Sequence, residues 1–196
     1  MLTLVVGLLV FIIVHLAPTA PDVRRSLVER FGEPAYKLAF SLVSALGLAL
    51  IVYGFAKLHA TPGKNPELWT PPHAMRHVTM LLMLIAFVLL AAAYIPSRIR
   101  TAVQHPMLAA VKLWAFAHLL VNGDLASIVL FGSFLAWAIY DRISVKRRAA
   151  LGPLGARTGG LAGDVAAVAV GVGLYLIMLL WGHARLIGVP LVPGWT

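Results

Sequence analysis

Cysteine is absent from the 196-residue chain, which excludes disulfides, thiolate metal sites and cysteine nucleophiles. Charge is scarce as well: 12% of residues are charged and only 7 are acidic. The carboxylates fall at helix caps and in loops, so catalysis by a carboxylate pair has little to draw on. No Ser-His-Asp arrangement is readable. The glycine-rich tract Gly152 to Gly163 follows no strand and lacks the lysine of a phosphate-cradling loop. No internal repeat is visible.

What the chain does have is apolar sequence. It is 61% hydrophobic, with a mean hydropathy of +0.91, a composition of membrane-embedded proteins rather than soluble domains. The 16 Lys and Arg residues lie between apolar runs, with no basic stripe interleaved with aromatics, so nucleic acid is not an expected partner. Membrane lipid is.

The pattern predicts an all-α, polytopic membrane protein: a single transmembrane domain over residues 1–196, built as a bundle of about six spans. The first runs from about Leu2 to Ala17. It lacks a basic leading region, so it reads as a retained span rather than a signal peptide. A loop from Pro18 to Lys37 precedes a second span, about Tyr36 to Lys57, with Pro34 suited to a first helical turn. Loop two, Leu58 to Pro72, is rich in Pro, Gly and Asn and carries Trp69, an interface anchor. The third span runs from about His73 to Ile95, ended by Pro96. The fourth starts at Pro106 and is joined to the fifth by Asn122-Gly123-Asp124, with Asp124 as the fifth helix's cap. A sixth begins near Asp164, a second cap candidate, and fades after His183. Gly47, Gly54, Gly132, Ala167 and Gly171 offer surfaces for close helix approach.

Basic residues concentrate in loop one (Arg24, Arg25, Arg30, Lys37), loop three (Arg98, Arg100) and loop five (Arg142, Lys146, Arg147, Arg148, Arg157). The positive-inside rule then puts these loops in the cytoplasm and both termini on the periplasmic side of a bacterial inner membrane.

Seven histidines are the obvious carriers of chemistry. His15 lies near the cytoplasmic end of span one, sharing a helical face with Leu8 and Phe11. His118 lies well inside span four, on a face with Trp114, Val111 and Met107. An imidazole at that depth needs a partner inside the protein. A backbone carbonyl or a serine on a neighbouring helix would satisfy it; so would a metal. His105, before Pro106, reads as an interface residue or a second-rank site residue. His73 and His77 form an i, i+4 pair in H-A-M-R-H, a spacing that can bind a metal, with Arg76 beside them as a polar anchor or anion contact. Membrane di-iron oxygenases need more histidines in tighter clusters. His59 and His183, at span ends, read as solvated.

Three stretches resemble the NnrU family of membrane proteins: F-x-x-x-H in span one (Phe11 to His15), FGEPAYKLAFSLVSALGLALIVYGF after the basic loop, and H-P-M…K-L-W-A-F-A-H-L-L-x-N-G-D-L-A-S…L-F-G-S-F. The likeness covers most of the chain and is most specific in the last stretch. That family is associated with nitrite and nitric oxide respiration, and the zeta-carotene isomerases, which carry haem b, resemble it. The resemblance implies haem b as cofactor, with His15 and His118 at the axial-ligand positions. His105 also matches a family position, with Gln104 where the pattern usually has arginine. The haem propionates would need cations, for which Arg76, Arg98, Arg100 and Lys112 are candidates.

Two classes of function follow. One is a haem-dependent isomerase that rotates a double bond of a lipid-soluble isoprenoid or carotenoid. The other is non-enzymatic: a haem sensor, electron carrier or accessory protein in nitrite and nitric oxide metabolism, with a redox partner. A third reading, an isoprenylcysteine-type methyltransferase, has the H-P pair before an apolar helix but no acidic motif downstream.

Overall fold

Long apolar runs bounded by proline and glycine fold as helices, because inside a bilayer only a helix satisfies every backbone polar group within one segment. The computed structural model describes residues 1–149, 155 and 157–192; the tract from Gly152 onward therefore lies in part outside the described residues. The helices are α1 (Leu2–Leu16), α2 (Pro21–Phe31), α3 (Glu33–Ala60), α4 (Met75–Ala92), α5 (Arg98–Val103), α6 (Pro106–Leu119), α7 (Leu125–Arg147), α8 (Leu161–Ile177) and α9 (His183–Ile187). A π-helical turn, Met178–Gly182, joins the last two. Among the described residues the only β pairing is one isolated bridge, Glu67 to Asp124.

The all-helical membrane architecture is as the sequence predicts, with one refinement. Among the described residues five segments are long and apolar enough to cross: Leu2–Thr19, Glu33–Ala60, Met75–Ala92, Leu125–Arg147 and Leu161–Ile187. The expected fourth span, α6, has 14 residues. At about 1.5 Å per residue it rises roughly 21 Å, short of the ~30 Å hydrocarbon core. Two stretches expected as loops are helical. In loop one, Pro21 at the first turn and Asp22 beside it start α2. In loop three, the Ser97 hydroxyl accepts from the Arg100 N–H at 3.1 Å and starts α5.

The chain forms two compact units. The first comprises residues 1–70 and 122–145. In it α1 and α3 pack antiparallel along a seam of glycines. A Cβ on Gly54 would lie 2.5 Å from the Leu4 backbone nitrogen, one on Gly7 would lie 2.6 Å from that of Ile51, and one on Gly47 would lie 2.8 Å from that of Phe11. Such contact is possible only without side chains, and close backbone approach is what holds helices together where lipid removes the hydrophobic drive. Gly132, expected among these surfaces, meets nothing within 4 Å.

Residues 58–60, expected as loop, complete α3, and the loop from 61 to 70 straps the turn ahead of α7. Gly123 accepts from the Leu68 N–H at 2.8 Å, and Leu125 donates to Pro66 at 3.0 Å. Asn65 donates to Asp124 at 2.7 Å and accepts from the Ala126 N–H at 2.8 Å. Asp124 caps α7 as predicted, accepting from the Ser127 N–H at 2.9 Å.

The second unit comprises residues 71–121 and 146–196. Here α4 packs against both α6 and α8. Thr79 of α4 donates to the Ala117 carbonyl of α6 at 3.0 Å, and Gly171 of α8 lies against the Val88 backbone. Ala167 is fully buried. Asp164 is four residues into α8 and does not cap it; Gly160 holds that position.

Candidate functional site

Phe11 and His15 are one helical turn apart on α1. That spacing lets the imidazole Nδ1 reach back to the Phe11 carbonyl, at 2.7 Å. A carbonyl only accepts, so Nδ1 carries the proton and Nε2 the lone pair of the neutral ring. The Phe11 ring stacks on the imidazole, centroids 4.0 Å apart at 20°. Because the Gly47 seam draws Phe11 onto α3, His15 also meets Phe40 of that helix at 5.0 Å. From α7, the Trp137 ring lies perpendicular to the imidazole, centroids 5.5 Å apart at 85°. Phe134 packs on both Phe11 and Trp137. His15 thus sits in an aromatic box assembled from three helices of the first unit.

Two polar atoms in that neighbourhood are buried without a hydrogen-bond partner: the Trp137 indole Nε1 and the Tyr36 hydroxyl. Tyr36 packs on Phe40 at 6.3 Å, and the Arg24 guanidinium lies over its ring at 5.7 Å.

His118, in the second unit, repeats the local arrangement. Its Nδ1 donates to the Trp114 carbonyl at 2.8 Å, and the Trp114 ring lies 5.6 Å away. The same device recurs at His59, whose Nδ1 donates to Phe55 at 3.0 Å beneath a ring at 4.2 Å. Among the described residues, the carbonyl of an aromatic residue one helical turn back thus sets the tautomer of three histidines. The motif orients an imidazole; what the imidazole then does depends on its surroundings. His59 faces the strap, with Nε2 3.3 Å from Asn65 and 3.5 Å from Asp124. His15 and His118 lie among apolar helices.

The other candidates are placed less favourably for metal chemistry. His105 is the N-cap of α6, outside the helix, its N–H donating to Val103 at 2.8 Å. His73 lies in a turn ahead of α4, so the expected i, i+4 pair with His77 does not share a regular helix, and His73, Arg76 and His77 are all exposed. Arg98 pairs with Asp164 at 2.5 Å. Arg100, 6% exposed, donates to the carbonyls of Gly155, at 2.6 Å, and Arg157. Both cations are engaged in holding their own unit together. Among the described residues no three His, Asp or Glu side chains converge as a metal site built of protein ligands alone would require.

Trp137, Phe40 and Tyr36 are site residues that sequence reasoning misses. Phe40 and Tyr36 lie within the stretch resembling the family, but nothing local to Trp137 announces that α7 brings it to His15.

Residues 3–191 match the family described as NnrU protein. No curated protein and no solved structure matches the chain. The match spans nearly the whole sequence, all the apolar helices and every candidate histidine: this polytopic membrane protein belongs to the NnrU family.

Proposed function

We propose that the protein is a membrane haem b protein and that His15 and His118 are the residues that would hold the haem. The observation that carries this reading is the shared hydrogen bond: each ring donates Nδ1–H to the carbonyl four residues back, leaving Nε2 as its basic nitrogen. A ligating histidine needs that second bond to set its tautomer and its ring direction. The donor set also fits, since two neutral imidazoles in apolar helical surroundings suit a buried porphyrin iron.

When bound, haem would supply a one-electron couple and a Lewis-acidic iron. The protein's own contribution is to hold two imidazoles neutral and oriented, and to exclude water around His15 with Phe11, Phe40 and Trp137. A lipid-soluble polyene suits the outside of α1, where a shallow apolar groove of about 480 Å³ runs from Val6 to Ala17 against Val43. Cis–trans isomerisation of such a substrate is the reaction we assign. The carbonyl bonds that restrain both rings favour a second reading, a closed six-coordinate electron carrier or sensor serving nitrite and nitric oxide metabolism. We further place the arginine-rich loops in the cytoplasm and both termini in the periplasm of a bacterial inner membrane, on the distribution of basic residues.

The test is an absorption spectrum of the detergent-purified protein, oxidised and reduced, beside His15→Ala and His118→Ala. Each variant should lose the bis-imidazole signature; unchanged spectra in both end the ligand assignment. Carbon monoxide or nitric oxide added to the reduced protein separates the two readings. Binding supports the isomerase, and an inert ferrous form supports the carrier.

A further inference from the structure

We propose that the indole N–H of Trp137 donates to a carboxylate of the haem, an assignment that rests on the haem reading above. The Trp137 Nε1 is buried without a hydrogen-bond partner, in a ring perpendicular to that of His15 with centroids 5.5 Å apart. Buried N–H groups in native proteins are almost always paired, since an unpaired donor bears the full cost of its desolvation. An indole nitrogen can only donate, so its partner must be an acceptor. Around it stand Phe134 and the His15 imidazole, whose Nδ1 is a donor to Phe11 and whose Nε2, the ring's one acceptor, is not its hydrogen-bond partner and is the atom the haem reading assigns to the iron.

The periphery of haem b bears methyl and vinyl groups and two carboxylates. A hydrogen bond from the indole to that periphery therefore ends on a carboxylate oxygen. Two of the four cations that sequence alone would nominate for this task are engaged elsewhere, Arg98 with Asp164 and Arg100 with two backbone carbonyls; Arg76 is exposed at the start of α4, in the other compact unit. Trp137 belongs to the same compact unit as His15, so ligand and carboxylate donor come from one folded body. The competing account is that the indole serves only to pack against the imidazole.

The experiment loads the full-length, detergent-purified protein with haem b or with its dimethyl ester, which keeps the ring and iron but has no carboxylate. Loss of each to an excess of a soluble haem-binding globin is then timed, for wild type and for Trp137→Phe. Wild type should release the diester roughly ten-fold faster than haem b, the worth of one charge-assisted hydrogen bond. Trp137→Phe should release haem b about as fast as wild type releases the diester, with the bis-imidazole spectrum unchanged. Its own preference for haem b over the diester should shrink accordingly. If the variant loses both groups faster by one common factor, the indole serves the imidazole and the proposal fails. It fails too if the variant matches wild type with both groups, while the haem reading stands. Wild type that takes up no haem b overturns both. The diester comparison on wild type needs no variant to fold.

Discussion

Asp164 of α8 closes the first turn of α5: its carboxylate accepts from the backbone N–H groups of Arg98 at 2.7 Å and Ile99 at 3.2 Å, and from the Arg98 side chain at 2.5 Å. Two free N–H groups at a helix start thus gain an acceptor from another helix. The Arg98 guanidinium is 62% exposed, and exposed ion pairs contribute little, so the backbone bonds matter more. Asp164→Ala should lower the unfolding temperature in detergent clearly more than Arg98→Gln does. Equal losses would mean that the side-chain pair, not the cap, is what α5 needs.

The glycine seam makes a prediction with an internal control. A methyl on Gly54 meets the Leu4 backbone at 2.5 Å, whereas one on Gly132 meets nothing. Gly54→Ala should destabilise by about 1–3 kcal/mol, as forced overpacking does. Gly132→Ala should be neutral or stabilise by up to about 1 kcal/mol through helix propensity. Gly47→Ala, whose methyl would meet Phe11 at 2.8 Å, should in addition disturb the His15 box and so shift any axial-ligand spectrum. Thermal unfolding of the three variants in one detergent decides it.

What the sequence makes legible is mostly what acts locally. The apolar runs read as helices because length and composition alone determine whether a segment can cross a bilayer, and Pro34, Pro106 and Asp124 start helices as their chemistry requires. F-x-x-x-H announces the His15 tautomer, since donor and acceptor lie one turn apart. Helices α2 and α5 are missed because they are short and charged, with neither length nor an apolar stripe to declare them. The role of Asp164 is misread for another reason: a cap that serves a different helix is a tertiary fact. Trp137 escapes on the same ground.

His59 shares the aromatic–histidine device with His15 and His118 but faces a polar strap. Its replacement should therefore separate orientation from ligation. His59→Gln should leave the oxidised and reduced absorption spectra unchanged while weakening the strap, read as faster proteolysis between residues 60 and 70. A spectral change as large as that of His15→Ala would place His59 among the ligands.

Asp124 predicts how stability varies with pH. Partial burial pushes its carboxyl up, but hydrogen bonds from Ser127 and Asn65, with His59 nearby, outweigh this and hold it below the usual carboxylate range. A carboxyl whose folded value lies below its unfolded one, about 3.9, stabilises the protein above that unfolded value, and the contribution fades as pH falls through the folded value. Unfolding temperatures measured from pH 6 downward should thus fall more steeply for wild type than for Asp124→Asn. Near neutral pH the asparagine, still a good cap, should cost less than Asp124→Ala, which should lose about 1 kcal/mol. Parallel acid limbs would mean that other carboxylates set the acid stability.

Arg100 offers the sharpest contrast between two cations of equal charge. Its buried guanidinium donates through two nitrogens to the carbonyls of Gly155 and Arg157, which fastens the segment ahead of α8. Hydrogen bonds to a charged group contribute about 1.5–3 kcal/mol each, and a planar fork can bridge two acceptors that a compact ammonium cannot. Arg100→Lys should therefore retain the charge and still lose most of the tether. Arg100→Met, with no buried charge left to satisfy, should be no worse than lysine. Limited proteolysis at residues 157–160 reads the tether directly, and both variants should be cut at least ten-fold faster than wild type. If lysine protects the segment as well as arginine does, charge alone holds it, and the two-carbonyl geometry is incidental.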